Sequence, residues 1–375
     1  MKRRDFLVRS SSAAALAALS LKPTSVFAEE TAKAEGWRTF DVVTSVDFAG
    51  AEGATQLWLP VPLAQAGDWQ RRVSLDFAAP GASSAKLVTL PGYAVEMLHV
   101  AWPDAKSVGH VELSSRVATR DRSVDLDTRS REGRDADLKT YLRATALLPT
   151  DGLVKATAER IVKGQRDEVA KARALYEWVV DNTYRDAKVK GCGVGDINAM
   201  LANGMMGGKC ADINALYVAL ARSIGIPARD AYGIRVTTSK LGYNCLGKLG
   251  DISKAQHCRA EFYAQGRGWI PVDPADVRKV ILEEDGGLPM ENPKVRAARA
   301  RLFGAWEMNW VAYNHGHDVV LPGSAKKPVP FLMYPHGETN GARIDGLDPT
   351  TFKYSIHSHE VVETRKVQRA DRTAR

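Results

Sequence analysis

From Trp37 to about Leu126 apolar and polar side chains alternate. The pattern is clear in Phe40-Asp41-Val42-Val43-Thr44-Ser45-Val46, Ala54-Thr55-Gln56-Leu57-Trp58-Leu59, Val73-Ser74-Leu75-Asp76-Phe77 and the run from His110 to Val117. Period-two alternation broken every ten to twenty residues by Gly, Pro and Asp predicts an antiparallel, sandwich-like β domain. Pro60 and Pro62 close their strand, since proline cannot donate to a ladder. The period then changes. Asp167 precedes a stretch, residues 168–183, in which Val169, Ala172, Leu175, Tyr176 and Val179 fall on one helical face. A glycine-studded loop is expected from Gly191 to Gly208. A second helix starts near Cys210, with Ile213, Leu216, Tyr217, Leu220 and Ile224 as its stripe and Gly225 as a left-handed close before Pro227. Strand patterns return at 231–236, 257–263 and 269–272, with further short β segments at Pro330–Tyr334 and Phe352–Ser358. The class expected is α+β.

Composition changes this picture little, but charge changes it more. The chain has 375 residues, 45% of them hydrophobic and 26% charged, which excludes wholesale disorder. No run approaches the roughly 18 apolar residues of a membrane-spanning helix. The formal net charge is +8, which invites a nucleic-acid reading until the charge is located. Residues 1–28 carry +4 and residues 363–375 carry +3, which leaves +1 for residues 29–362. A near-neutral body argues against nucleic acid as a partner. Residues 1–28 read as an export signal: a basic head (Lys2, Arg3, Arg4), a short apolar middle from Ala13 to Leu21, and a cleavage site ending at Ala28. Arg3-Arg4-Asp5-Phe6-Leu7 resembles the twin-arginine signal, so the export machinery that reads it is an expected partner and the periplasm the expected location. No stable membrane insertion is expected after processing. The expected organisation is a signal peptide (1–28), an N-terminal β-rich domain (29–130), a charged linker (129–137), a catalytic domain with a C-terminal β extension (138–362), and a basic tail (363–375).

Cys210 stands behind Gly207-Gly208-Lys209 at the start of a helix. Unpaired N–H groups and the positive end of the helix dipole there favour a thiolate, and the same N–H groups can stabilise an oxyanion. Alone, such a cysteine is more often a small buried hydrophobe. His257 and Asp273 change the balance. They sit on two strand-like segments joined by the turn Gln265-Gly266-Arg267-Gly268, a hairpin able to set the carboxylate beside the imidazole. Cysteine, histidine and carboxylate together are the triad logic of acyl transfer.

The motifs Gly-Lys-Cys210-Ala-Asp, Ala-Leu-Ala-Arg-Ser-Ile-Gly-Ile-Pro-Ala-Arg229, His257-x-Arg-x-Glu and Trp269-Ile-Pro-Val-Asp273-Pro, in that order, resemble the transglutaminase-like superfamily over about residues 170–276. The resemblance implies a papain-like core, a helix-borne cysteine packed on an antiparallel sheet. It implies Cys210 as nucleophile, His257 as general base and acid, and Asp273 as the residue orienting it. It implies no cofactor. The N-terminal segment Leu57-Trp58-Leu59-Pro60-Val61-Pro62 is similar to N-terminal domains of bacterial members. No residue matches the superfamily's second oxyanion donor.

Other candidates carry less. Cys258 is adjacent to His257 in sequence, but strand alternation turns it to the opposite face. Arg259 and Glu261 share the His257 face and are candidates for a supporting ion pair. Cys192 and Cys245 flank the region, and a disulfide between them is left open. His315-Gly-His317 and His357-Ser-His359 lack a third ligand placed by spacing and read as structural or surface groups, so no metal is expected. Gly191-Cys192-Gly193-Val194-Gly195 has neither the preceding strand nor the Lys-Ser/Thr ending of a phosphate loop. The expected function is therefore amide hydrolysis through an acyl-thioester on Cys210, with a peptide or protein, cell-wall peptide included, as substrate. Acyl transfer to amines and a non-catalytic periplasmic scaffold are the alternatives. Arylamine N-acetyltransferase chemistry fits the Gly-Ile-Pro-Ala-Arg229 segment poorly.

Overall fold

A computed structural model describes residues 36–48, 53–105, 110–129 and 138–362. The signal peptide, most of the charged linker and the basic tail lie outside the described residues. In chain order the N-terminal half forms β1 (Trp37–Asp47), β2 (Gly53–Pro60), β3 (Gln70–Ala78), β4 (Ser84–Leu90), β5 (Val95–Ala105) and β6 (Val111–Arg120). Helices α1 (Gly152–Ile161), α2 (Glu168–Asn182), α3 (Ile197–Asn203) and α4 (Cys210–Ser223) follow. Next come β7 (Ala228–Arg235), β8 (Gln256–Ala264), β9 (Gly268–Val272), α5 (Pro274–Glu283), α6 (Pro293–Arg301), β10 (Trp310–Asn314), β11 (His336–Thr339) and β12 (Lys353–Val361).

Alternation is the reason for the first sheets. Phe40, Val42, Thr44 and Val46 of β1 are all buried, with the residues between them less so. One sheet runs β12-β1-β6-β3, with two-residue strands at each edge; a second runs β11-β2-β5-β4. Val46, Val111 and Leu113 from the first sheet pack with Leu57, Leu59, Leu98 and Val100 from the second, so the two form a sandwich around one apolar cluster. Strands from the end of the chain complete both sheets. Nine residue pairs join β1 to β12, from Thr39↔Val361 to Asp47↔Lys353, and β11 pairs with β2.

A third, wholly antiparallel sheet runs β9-β8-β7-β10. Against it lies α4, whose fourteen residues are all buried. Such a helix is held by packing on every side and not by an amphipathic stripe alone. Gly225 ends this segment with φ +82°, as its position before Ile226-Pro227 predicts. Asp167 caps α2 by accepting from the Val169 and Ala170 N–H groups at 3.0 and 3.2 Å. Two expectations are revised. The 191–208 stretch is not all loop, because Asp196 caps the short helix α3 through the Ala199 N–H and Gly204 closes it. Pro330–Tyr334 is not a strand; buried Phe331, Leu332 and Met333 fill core in irregular backbone, which apolar sequence alone does not distinguish from β. Among the described residues no helix is long and apolar enough to cross a membrane.

Candidate active site

Three elements converge on Cys210. It is the first residue of α4, 3% exposed, and faces a cavity of about 540 Å³ that His257 also lines. His257 comes from the start of β8, opposite Gly233 of β7. The β8–β9 hairpin pairs Ala260 with Val272, so Asp273 emerges just past the last pair, near His257 on the partner strand. There Asp273 is also the N-cap of α5, accepting from the Asp276 N–H at 3.0 Å with Pro274 at the first helical position. Its other oxygen, Oδ2, is 2.8 Å from His257 Nε2. The structure thus brings together the three residues singled out by the sequence.

The site contains groups the sequence did not disclose. Asn214, one turn after Cys210 on α4 and fully buried, donates to Cys258 O at 2.8 Å and to Asp273 Oδ1 at 3.3 Å, and accepts from the Ala275 N–H. It ties the cysteine helix to both strands. Asp276 lies 3.3 Å from His257 Nε2 and accepts from Arg235 at 2.5 Å. Trp310 donates to His257 O at 2.8 Å, fixing the backbone behind the imidazole. An i, i+4 relation to the cysteine was the only sequence signal for Asn214; Arg235, Asp276 and Trp310 had none.

Electrostatics favour separated charge. Hydrogen bonds from Cys192, then Cys258 and His257, hold the Cys210 thiol well below the usual thiol range against the opposing effect of burial. Burial and the nearby Arg235 oppose charge on His257, but Asp276 and Asp273 outweigh them and its pKa is raised. Thiolate and imidazolium therefore stabilise one another. Burial, reinforced by Asp276, raises Asp273. Asp276 is buried too, yet the Arg235 guanidinium keeps its pKa low. Burial pushes the Cys192 and Cys258 pKa values well up, after the Cys210 contact in the first case and ahead of it in the second. Both are therefore neutral thiols beside Cys210, and Cys192 Sγ also lies 3.4 Å from Gln256 O as a donor.

Two of the remaining candidates touch this centre, Cys258 at the Cys210 thiol and Arg259 with its Nε 3.6 Å from Asp273 Oδ2, and the others lie outside it. Cys258, Ala260 and Phe262 enter the core shared with α4, whereas Arg259, from the alternate face of β8, stacks on Trp306 and Trp310. The Arg259–Glu261 pair does not form. Glu261 is held by Arg122 and, at 2.7 Å, by Arg229, because cations from other elements reach its carboxylate. Cys192 and Cys245 are free thiols, as are the other two cysteines. His315 contacts Asp230 O at 2.9 Å and His317 the Asp230 carboxylate at 3.0 Å, both buried. His357 and His359 project from exposed positions of β12. Among the described residues His257, Asp273 and Asp276 offer atoms close enough to share a cation, but Arg235 already neutralises Asp276.

The model of the transglutaminase-like superfamily core matches residues 155–274, which span Cys210, His257 and Asp273. A Haemophilus influenzae protein described as uncharacterized is 35% identical over 341 residues, covering 86% of this chain and 90% of its own. This chain belongs to the transglutaminase-like superfamily. Among solved structures, a Cytophaga hutchinsonii protein named as a candidate cysteine protease is 15% identical with a TM-score of 0.49, covering 86% of this chain and 98% of the other. The periplasmic domain of TgpA from Pseudomonas aeruginosa is 17% identical with a TM-score of 0.34, covering 64% and 94%. The matched residues take in α2 to α4 and β7 to β9, so three of the four strands of the sheet against which α4 lies fall within them and β10 comes from beyond.

Proposed function

We propose that this chain is an exported, cysteine-dependent amide hydrolase working through an acyl-thioester on Cys210. The observation that carries this reading is the 2.8 Å contact between His257 Nε2 and buried Asp273 Oδ2, with the imidazole lining the same cavity as a thiol at the N-terminus of a buried helix. The Cys210 thiolate attacks the amide carbonyl carbon, and the carbonyl π electrons move to oxygen. Ala211 and Ile213 N–H groups are engaged by Cys192 O and Lys209 O. That leaves the Cys210 N–H as the first-turn donor without such a bond among the described residues, available to the oxyanion. Collapse breaks the C–N bond, and His257 protonates the departing amine. His257, now neutral, takes a proton from water as it attacks the thioester; collapse releases a carboxylic acid and restores the thiolate–imidazolium pair. Asp273, itself held by Asn214, orients the imidazole, and Asp276 with Arg235 sets the charge around it. The substrate is a peptide or protein, and residues 1–28, read as a twin-arginine-type signal, place the encounter in the periplasm.

Alkylation by iodoacetamide across pH tests the centre. Cys210 is expected to label at pH values where an ordinary thiol is protonated, with the acid limb falling through its lowered pKa. The limb should move up in His257→Ala. A Cys210 that labels no faster than a free thiol, and no differently after His257→Ala, would sink the reading. Peptide hydrolysis assayed beside amine incorporation then decides the acceptor: water supports the proposal, and incorporation without hydrolysis replaces it with transamidation.

A further inference from the structure

Seven cationic side chains line the cavity around Cys210 and His257, and among the described residues no Asp or Glu does. Four of the cations are answered by carboxylates outside the lining. Arg185 and Lys279 meet Glu283, Lys190 meets Asp345 at 2.5 Å, and Arg235 meets Asp276. Lys209, Lys248 and Lys254 have no ion-pair partner among the described residues, and the last two are exposed. This concentration does not reflect a basic protein, since residues 29–362 carry a net charge of only +1. Nor are these lysines among the groups that lower the Cys210 thiol, a task that falls to Cys192, Cys258 and His257. Leu347, Pro349 and Tyr334 add apolar surface to the same cavity, enough to seat aliphatic stems between charged ends.

We propose that the acyl donor is an acidic peptide, one that carries carboxylates close to the amide that Cys210 attacks, with Lys209, Lys248 and Lys254 as the residues that select it; this rests on the acyl-transfer reading above for the place of the reacting carbonyl. A cavity lined by one sign of charge raises the local concentration of ligands of the other sign and penalises like-charged ones. Lys209 precedes the nucleophile directly, so it addresses a carboxylate nearest the reacting carbonyl. Lys248 and Lys254 address one farther out. A peptide offers carboxylates from two sources, its Asp or Glu side chains and its α-carboxylate.

Peptides of one sequence, carrying Glu or Gln on either side of the amide and with the C-terminus free or amidated, separate those sources. With the full chain, kcat/KM for the Glu peptides is expected to exceed that for the Gln peptides by roughly fivefold or more at low salt, shrinking as salt is raised. A preference that follows the free C-terminus instead assigns the α-carboxylate as the recognised group. The Glu/Gln ratio should fall toward one in Lys248→Gln with Lys254→Gln, exposed positions where folding is not at stake, as well as in Lys209→Gln. Equal rates for all four peptides would overturn the proposal. A readout independent of turnover keeps it apart from the hydrolase reading. Acidic peptides should protect Cys210 from iodoacetamide where neutral ones do not, and iodoacetate should gain on iodoacetamide relative to a free thiol. Protection without cleavage retains the acidic ligand and removes the hydrolase; neither protection nor preference removes the acidic ligand.

Discussion

At the residue scale the candidate site depends on groups that hold one another in place. Asn214 is the connecting residue: its amide bridges Cys258 O and Asp273 Oδ1 from the helix that bears Cys210. Asn214→Ala leaves a buried carbonyl and carboxylate oxygen short of a donor, at a cost of about 1–3 kcal/mol. Because it also frees the Asp273 side chain, kcat should fall by more than KM rises; a protein that loses stability with kcat unchanged would argue against a positioning role. Behind the site, His315 and Glu261 report on acid. Burial, then the nearby Arg229, pushes His315 down to about 3, while Arg122 and Arg229 overcome burial to hold Glu261 at about 2. Both folded values lie below the ordinary ones of 6.5 and 4.5, so the stability they contribute is full above those values and is lost as pH falls. His315 acts first, from about pH 6.5 downward. Urea unfolding of His315→Gln should show a shallower stability slope between about pH 6 and 5, by up to ~1.4 kcal/mol per pH unit. An unchanged slope would mean that His315 is not the proton acceptor. Of these residues only Cys210, His257 and Asp273 were legible in the sequence. Residue type and order single out a cysteine, a histidine and an aspartate as candidates, whereas Asn214, Arg235 and Asp276 become partners only after distant elements meet.

At the element scale, the loop before α4 is tied to the helix it introduces. One Asp212 oxygen accepts from the Val194 and Gly195 N–H groups at 3.0 and 2.8 Å, and the other from the Lys209 N–H at 2.9 Å. The Gly193–Gly195 turn is thereby clamped against the first turn of α4. Gly193 has φ +92°, and a Cβ there would sit 1.8 Å from Asp212 Oδ2, so both backbone freedom and space require glycine. Asp212→Ala unties three N–H groups at once and should cost about 2–3 kcal/mol. It should also slow Cys210 alkylation, because the Cys192 O contact with the Ala211 N–H depends on the same loop. Thermal unfolding read beside the alkylation rate checks this; a Tm loss with normal alkylation would confine Asp212 to stability. The long elements were legible because their periodicity is strong: the helix over 168–183 and the strand over 257–263 match α2 and β8 to within one residue at each end. Helices α5 and α6 escaped notice. α5 begins on the Asp-Pro that also ends β9, and α6, Pro-Lys-Val-Arg-Ala-Ala-Arg-Ala-Arg, buries only Val295 and Ala298 and has almost no stripe to read.

For the whole molecule, what local pattern could not disclose is that the chain's end returns to its beginning. The 352–358 segment has β character in sequence, but its partner, β1, lies some three hundred residues earlier, and no local signal names a partner at that distance. The return matters to the site. Phe352, immediately before β12, and Tyr354 within it line the Cys210 cavity, Phe352 also packs in the sandwich core, and Ile356 is buried in the cluster that includes α4. One segment thus serves the sandwich, the core of the layer that carries Cys210 and the cavity wall. Ending the chain after Gly346 would remove nine ladder pairs, expose β1 as an edge and uncover Phe48, whose ring contacts Phe352 at 5.6 Å. Loss of buried Phe352 and Ile356 alone should cost more than about 5 kcal/mol, comparable to the whole stability of a domain. The shortened protein is therefore expected to aggregate or unfold as a unit, the Cys210 layer included. Hydrogen exchange on Phe352→Ala, a milder version, should show protection falling in β1 and in α4 together. Loss confined to β1, with α4 still fully protected, would mean that the sandwich and the Cys210 layer are energetically separate and that β12 does not couple them.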